Sequence, residues 1–268
     1  MDRDEGAPLP DDQTTLGRAT RVLEVFGPDT PALSASDIAR HTGIPMTSAH
    51  RLVAQMVRLG LLDRGPDKLL RVSLRVWELG WRSTTALGLR QVAMPYLEDL
   101  HAAVRQHTQL AVLEGTDVLY IERLSARGRT AVNLTRVAGR LPAHACSSGL
   151  VLLAFGPPGL QEEVLAAPRL AALTPHTVTD PKELRRVLAD TRRRGTATAP
   201  GWVHPEGAGV AAPVRDHTDT VVAAISVIVP NTPDAVSAAA PAVATTARSV
   251  SRALREGRVP RPGRPDCR

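Results

Sequence analysis

Residues 34–60 read SASDIARHTGIPMTSAHRLVAQMVRLG. Ser34 and Asp37 have the spacing of a capping box, in which two side chains bond backbone N–H groups at the start of a helix. A short helix that ends at Gly43 is therefore predicted, and a second helix is predicted from about Met46 to Leu59. Two helices joined by a tight turn with a glycine form the helix-turn-helix pattern.

The second of these helices has two chemically different faces. Its apolar residues recur at helical spacing and are expected to be buried: Ala49, Leu52, Val53 and Met56. Polar side chains occupy the opposite face: Thr47, Ser48, Arg51, Gln55 and Arg58. In helix-turn-helix proteins such a face reads base edges in the DNA major groove, where arginine pairs with guanine and glutamine with adenine. A merely solvated face is the alternative, and periodicity alone leaves both open.

A β-hairpin is predicted next, with strands over Leu61–Arg64 and Lys68–Val72. Three cations surround its turn and could hold adjacent DNA phosphates: Arg64, Lys68 and Arg71. Taken singly, each of them is also an ordinary surface charge. Before the motif, a helix is predicted from Leu16 to Phe26, ended by Gly27 and Pro28.

Length and composition restrict the class of protein. A chain of 268 residues favours two domains. The net charge of +6 is compatible with a polyanionic partner but does not demonstrate one. Cys146 and Cys267 are the only cysteines, so neither a disulfide framework nor a four-cysteine zinc site can form, which points to a reducing compartment.

Membrane and cofactor classes are not expected. The longest strongly apolar stretch, Val221 to Val229, is far shorter than the roughly 20 residues that span a bilayer. The first residues lack the basic and apolar regions of a secretory signal, so we expect a soluble cytoplasmic protein. No glycine-rich phosphate loop is present, and the histidines are too scattered for a metal site, so we expect no cofactor.

The apolar period changes after Thr108 and predicts a mixed α+β domain with antiparallel strands. Strands are predicted over residues 109–113, 118–124, 131–137, 210–215 and 220–229. Helices are predicted over residues 74–81, 87–104, 147–155, 161–166, 181–194 and 233–255. Residues 126–255 carry fifteen basic and nine acidic side chains, an excess that no motif explains.

Nine segments, taken in order, resemble the IclR family of bacterial transcriptional regulators. They are residues 16–23, 36–45, 48–53, 77–80, 93–97, 141–144, 149, 210–214 and 223–227. The resemblance covers about residues 16–255, and the order and spacing of the segments make it specific. It implies an α+β protein with an N-terminal winged helix-turn-helix and a C-terminal GAF-like effector-binding domain with an antiparallel sheet.

These observations give a predicted organisation. We expect a disordered arm over residues 1–15 and a disordered basic tail over residues 256–268, since both lack apolar periodicity. Between them we expect a winged helix-turn-helix domain over residues 16–73, a connector helix over residues 74–86 and an effector-binding domain over residues 87–255. The resemblance implies a homodimer or homotetramer that binds a palindromic double-stranded DNA operator, with effector binding transmitted through the connector.

For DNA binding, the resemblance places four residues in the contact stretch of the recognition helix: Thr47, Ser48, His50 and Arg51. The candidate DNA-binding set therefore comprises these residues together with Gln55 and the three cations of the hairpin. Met46 departs from the family, which commonly has a basic residue there, and one phosphate contact is accordingly not expected.

For the effector, the resemblance implies a pocket that takes a small organic or aromatic acid. The residues matched to it are Leu141, Ala143, Gly149, Gly209 and Ser226. Cys146 and Ser147 are added because they precede an apolar helix, whose N-terminus favours a carboxylate, although Ser147 could instead simply cap that helix. His144 is either a ligand contact or a structural histidine. Gly209 replaces a common cysteine and would leave room for a bulkier ligand, on which Trp202 could stack.

Two other functions are weighed against this regulator. Cys146 with His144 suggests a cysteine hydrolase, but the two are only two residues apart and no third partner is indicated. We therefore expect no enzyme. The second alternative is a small-molecule sensor that acts without specific DNA binding.

Overall fold

The computed structural model describes residues 14–27, 29–83, 85–125 and 135–257. They form two compact units, which divide after residue 84. The predicted arm, apart from Thr14 and Thr15, and the predicted tail beyond Gly257 lie outside the described residues. The α+β fold class is confirmed: the first unit is helical with a small hairpin, and the second has helices on both faces of an antiparallel sheet.

The first unit contains four helices and two strands within its described residues. They are α1 (Thr15–Glu24), α2 (Ala35–Thr42), α3 (Met46–Arg58), β1 (Leu62–Arg64), β2 (Leu70–Val72) and α4 (Leu74–Ser83). One apolar core holds the first three helices and the hairpin together, centred on Val22, Ile38, Val53 and Met56. The apolar face predicted for the second helix of the motif is buried, as expected.

Local signals set the ends of α2. The predicted capping box is confirmed: the Ser34 hydroxyl accepts from the Asp37 backbone N–H at 3.1 Å, and the Ser34 N–H donates to the Asp37 carboxylate at 3.2 Å. Gly43 ends the helix with φ +67°, a left-handed conformation that costs glycine little. The turn that orients α3 against α2 is therefore encoded within about ten residues.

The second unit contains five helices and six strands within its described residues. The helices are α5 (Thr85–Val104), α6 (Ser147–Phe155), α7 (Pro158–Leu165), α8 (Pro181–Arg194) and α9 (Pro233–Arg255). The strands are β3 (His107–Glu114), β4 (Asp117–Leu124), β5 (Arg140–Pro142), β6 (Ala197–Pro200), β7 (Gly207–Arg215) and β8 (Val221–Pro230).

The six strands form one antiparallel sheet in the order β5-β4-β3-β8-β7-β6. Helices α6, α7 and α8 contribute apolar residues to the core on one face, and α5 and α9 contribute to the core on the other. The sheet is thus buried on both sides, and the strands that lie farthest apart in sequence, β3 and β8, are neighbours at its centre. In the described part of the chain, no helix is both long enough and apolar enough to cross a membrane.

Two sequence predictions for strands are corrected. The strand predicted over residues 131–137 lies outside the described residues up to 134, and residues 135–137 form no strand. The chain turns there instead, with Ala138 at φ +61° and the Gly139 N–H bonded to the Arg136 carbonyl. Backbone hydrogen bonds to Tyr120 of β4 begin at Ala138 and Gly139, and strand β5 begins at Arg140. Strand β6 was not predicted, because its apolar side chains are two alanines separated by an exposed threonine.

Candidate functional site

The candidate DNA-binding residues of α3 share an exposed face. Thr47, His50, Arg51 and Gln55 are exposed and Ser48 is half-buried, whereas the apolar side of the helix is covered by the core. Pro45 precedes the helix and no side-chain hydrogen bond caps it, so the backbone N–H groups of the first turn are available to an anion. This helix end can therefore receive a phosphate beside the polar side chains.

A shallow groove runs between α1 and α3. Its lining includes Arg18 of α1 together with Ser48, Arg51 and Gln55 of α3. The sequence did not single out Arg18, because its position beside the α3 face depends on how the two helices pack. Arg18 adds a guanidinium to the same surface, and that surface is polar and positively charged.

One of the three cations of the hairpin, Arg71, forms an ion pair within the hairpin. Arg71 forms two hydrogen bonds to the Asp67 carboxylate, at 3.1 Å from Nη1 and 2.6 Å from Nη2. Hydrogen bonding to Arg71 lowers the pKa of Asp67 to about 2. Arg64 and Lys68 remain exposed, and Lys68 adopts φ +63° at the turn. The three predicted cations are therefore together on the hairpin, but Arg71 is largely neutralised by its neighbour.

A small cavity lies in the second unit where the N-terminus of α6 meets the sheet. Its lining combines polar groups and apolar walls: Tyr120, Thr135, Cys146, Ser147, Ala199, Val203, His204, Gly207, Gly209 and Ile228. The centre of a water molecule can move through only about 20 Å³ of it, which is room for one or two waters. In this conformation the cavity is therefore too small for an organic ligand.

Beneath the cavity, a buried chain of hydrogen bonds links α6, strands β8 and β3, and Thr135. The Ser148 hydroxyl donates to the Ser226 hydroxyl at 2.9 Å, and Ser226 donates to the Gln109 side chain at 3.1 Å. The Gln109 amide in turn donates to the Thr135 hydroxyl. Each group has its partner, so these polar side chains can remain in the core at little cost.

Burial governs the two ionisable groups at the cavity. Burial, together with the neighbouring Cys146 thiol, raises the pKa of Tyr120 well above its usual value. Burial also raises the pKa of the Cys146 thiol. Both groups are therefore neutral at pH 7, and the phenol and the thiol can act as hydrogen-bond donors.

The space predicted beside Gly209 is already filled. A Cβ atom at Gly209 would lie 3.1 Å from Ser147 Cβ and still closer to its hydroxyl. The glycine therefore allows α6 to approach β7, and the expectation that it leaves room for a bulkier ligand is wrong for this conformation. Ser147 is the first residue of α6, and Cys146 precedes it as the cap without a side-chain hydrogen bond, so the capping alternative for Ser147 is also wrong.

The remaining predicted effector residues lie near the cavity or beneath it. Ser226 belongs to the buried chain, and Leu141 and Ala143 belong to the core on the α6 side. A Cβ at Gly149 would meet the backbone of Ala143, so this glycine permits a close contact between α6 and the preceding 3₁₀ turn.

His144 and Trp202 are placed away from the cavity lining. The His144 ring is buried, and its Nε2 lies 2.9 Å from the Ala171 carbonyl oxygen, as expected for a structural histidine. Trp202 is buried in the core on the α6 side, and it borders a separate groove along α8. The structure therefore does not bring its ring to the cavity.

Sequence reasoning missed several residues of this site. Tyr120, Thr135 and His204 line the cavity, and Gln109 belongs to the buried chain beneath it. A glutamine within an otherwise apolar strand was the available signal for Gln109, because a buried amide needs specific partners. Among the described residues, no group of three or more His, Cys, Asp or Glu side chains is arranged to hold a metal ion.

The chain matches two protein-family models in order. The IclR helix-turn-helix domain matches residues 15–66, and the bacterial transcriptional regulator IclR C-terminal domain matches residues 82–252. The Pca regulon regulatory protein of Pseudomonas putida is 28% identical over 81% of this chain and 75% of its own length. The glycerol operon regulatory protein of Streptomyces griseus is 30% identical over 91% of this chain and 97% of its own.

A solved structure agrees with these sequence matches. An IclR homolog from Microbacterium hydrocarbonoxydans, crystallised with 4-hydroxybenzoate, is 46% identical with a TM-score of 0.84. The match covers 91% of this chain and all of that one. On these matches the chain belongs to the IclR family, and it is a DNA-binding transcriptional regulator whose activity an effector modulates.

Proposed function

We propose that this regulator reads double-stranded DNA with the exposed face of α3 and holds the DNA backbone with its hairpin. The observation that supports this most directly is the polar face itself, with Thr47, Ser48, Arg51 and Gln55 beside an uncapped helix N-terminus. His50 lies on the same exposed helix, while Arg64 and Lys68 supply phosphate contacts from the hairpin. Arg71 contributes less, since Asp67 occupies its guanidinium.

The test compares the DNA upstream of the regulator's own gene with random DNA of equal length, by fluorescence anisotropy. Arg51→Ala should weaken specific binding by roughly 1–3 kcal/mol if this side chain reads a base. Arg58→Ala, on the same helix but farther from its N-terminus, is the matched control and should preserve the ratio of specific to random affinity. An unchanged ratio in Arg51→Ala would remove Arg51 from the base-reading set.

The same proposal includes a homodimer that can pair into a homotetramer on a palindromic operator. Helix α4 exposes large apolar side chains that a monomer would leave in water: Leu74 is 69% exposed, Trp77 57% and Leu79 51%. Exposed apolar clusters of this kind mark association surfaces. Sedimentation should give a dimer or a tetramer, and Trp77→Glu should shift it toward the monomer. A wild-type monomer at micromolar concentration would contradict this part of the proposal.

We further propose that the effector is a small aromatic acid bound in the cavity at the N-terminus of α6. The site offers a neutral phenol and thiol, the Ser147 hydroxyl and the positive end of a helix dipole, which together suit a carboxylate on a flat apolar body. The 46% identical homolog that was crystallised with 4-hydroxybenzoate supports this class. Because the cavity is nearly closed, binding must separate Ser147 from Gly209.

The effector proposal is tested by thermal unfolding of the full chain with 4-hydroxybenzoate. A ligand present at 100 times its Kd stabilises by about 2.7 kcal/mol and raises the melting temperature. Ser147→Ala should reduce that rise, whereas Ser237→Ala, an exposed serine on α9, should leave it intact. Equal rises in melting temperature in the wild type and both variants would place the site elsewhere. If 4-hydroxybenzoate binds but does not change operator affinity, it is not the regulatory effector.

A catalytic role is not part of the proposal, and the cytoplasm is the proposed location because that is where bacterial DNA lies. The geometry opposes a cysteine hydrolase: burial raises the pKa of the Cys146 thiol, and His144 faces the Ala171 carbonyl. A nucleophilic cysteine needs the opposite shift and a base in contact with it. The alternative of a sensor without specific DNA binding is decided by the anisotropy experiment above.

A further inference from the structure

A cleft between β7 and the C-terminal half of α9 collects four arginine side chains: Arg215, Arg248, Arg252 and Arg255. Its volume is about 480 Å³, within the range of roughly 300–1,000 Å³ that is typical of small-molecule sites. It shares no lining residue with the cavity at α6. The cleft therefore concerns a different part of the second unit from the proposed effector site.

The positive charge of the cleft is poorly compensated. Asp219 pairs with Arg255 at 2.6 Å and with Arg215 at 3.6 Å, so one carboxylate serves two guanidinium groups. Arg248 donates to the neutral Thr245 hydroxyl, and neither Arg248 nor Arg252 forms an ion pair with any described residue. The four guanidinium groups of the cleft therefore outnumber the one carboxylate that forms ion pairs with them.

The end of α9 accounts for only part of this cluster. Cations are favoured in the last turn of a helix, which explains Arg252 and Arg255. Arg248 lies about two turns before the end of the helix, and Arg215 reaches the cleft from a strand, where it stacks on Phe155 at 5.0 Å. Side chains from two elements therefore bring like charges together, an arrangement that costs energy unless an anion neutralises it.

The floor of the cleft is apolar. Ala212 and Pro213 of β7 and Ala244 of α9 line it between the arginines. Small side chains leave space for a ligand body, and the exposed Arg248 and Arg252 lie one helical turn apart, so both can reach one anionic head group. One guanidinium group can bind two oxygens of a phosphate at once, through two parallel N–H···O hydrogen bonds.

We propose that this arginine cleft binds a small phosphate monoester, with the phosphate between Arg248 and Arg252 and an apolar body on the alanine and proline floor. The site is independent of the proposed aromatic acid effector. It also gives a role to part of the basic excess in residues 126–255 that neither DNA recognition nor the cavity explains.

The test is isothermal titration of the full chain with phenyl phosphate, and separately with inorganic phosphate, at one fixed ionic strength. The cleft variant carries Arg248→Gln and Arg252→Gln, both exposed positions. The control variant carries Arg169→Gln and Arg186→Gln, which removes the same charge from other exposed positions of the same unit. We expect at least a tenfold loss of phenyl phosphate affinity in the cleft variant, no loss in the control, and weaker binding of inorganic phosphate, which leaves the apolar floor empty.

Three results of the titration would overturn the proposal: no binding of phenyl phosphate by the wild type, an equal loss in both variants, or a loss on Ser147→Ala instead. The first would leave the charge without a small ligand, the second would assign binding to net charge, and the third would assign it to the α6 cavity. Retained operator affinity in the cleft variant supports the proposal, whereas a tenfold loss would assign the cleft to the DNA backbone. The 4-hydroxybenzoate response of the cleft variant should be unchanged, so the two ligand proposals can fail separately.

Discussion

Replacing Gly149 by alanine should destabilise the second unit, although alanine is the better helix former. A Cβ at this position would lie 2.5 Å from the Ala143 Cα and 2.6 Å from its carbonyl carbon, with the carbonyl oxygen closer still. Ordinary contact begins near 3.4 Å, so clearing the Ala143 Cα alone requires α6 and the 3₁₀ turn to separate by about 0.9 Å, and clearing the carbonyl oxygen requires more. Both partners are backbone, and neither can rotate away.

The size of the effect follows from two opposed terms. Overpacking of a core typically costs about 1–3 kcal/mol, and a backbone-to-backbone clash belongs at the upper end of that range. Exchanging glycine for alanine within a helix returns about 1 kcal/mol. A net loss of about 2 kcal/mol remains, which at a urea m value of about 2 kcal/mol/M lowers the unfolding midpoint by about 1 M.

The assay is urea unfolding followed by the fluorescence of Trp202, which is buried in the core that also contains α6. The other two tryptophans, Trp77 and Trp81, are replaced by phenylalanine so that only this unit is observed. Gly159→Ala is the matched control, because a Cβ there has no neighbour within 4 Å, and it should raise stability by about 0.4–1 kcal/mol. If Gly149→Ala were as stable as the wild type, the argument from close approach would be refuted.

Three further predictions concern both units. Ser34→Ala should lower the unfolding free energy of the first unit by about 0.5–2 kcal/mol through loss of the capping box, and calorimetry with Ser36→Ala as the control would contradict this if the two variants matched. Asp67→Asn should free Arg71 and steepen the salt dependence of DNA binding by about one ion. In the wild type, the Arg71–Asp67 ion pair should persist until the pH falls toward the Asp67 pKa of about 2. An unchanged salt slope in the variant would show that Arg71 does not contact DNA. In a Cys267→Ser background, Cys146 should be alkylated at pH 8.5 at least about tenfold more slowly in the native than in the urea-unfolded protein, because burial shields the thiol and raises its pKa; equal rates would mean that the cavity opens freely.

Features encoded by residues close in sequence could be predicted. The capping box of α2, the left-handed Gly43 and the bounds of α6, α8 and α9 all depend on residues within one helix or one turn of it. The polar face of α3 was predictable for the same reason, since helical periodicity alone separates it from the buried face.

The cavity depends on contacts that sequence spacing does not specify. Ser226 and Gln109 are bonded although 117 positions separate them, because the strand order places β3 beside β8. Tyr120 enters the same region from β4 and His204 from the segment before β7. Gly209 illustrates the difficulty: the sequence shows a missing side chain, but only the fold shows that Ser147 fills the space.

Among the described residues, the two outermost strands of the sheet are also its shortest. Strand β5 has three residues and ends at Pro142, and β6 has four residues and ends at Pro200. A short edge strand that contains a proline has few backbone N–H groups with which a strand of another molecule could form hydrogen bonds. These two edge strands therefore disfavour edge-to-edge pairing between the sheets of two copies, which would otherwise compete with any ordered assembly.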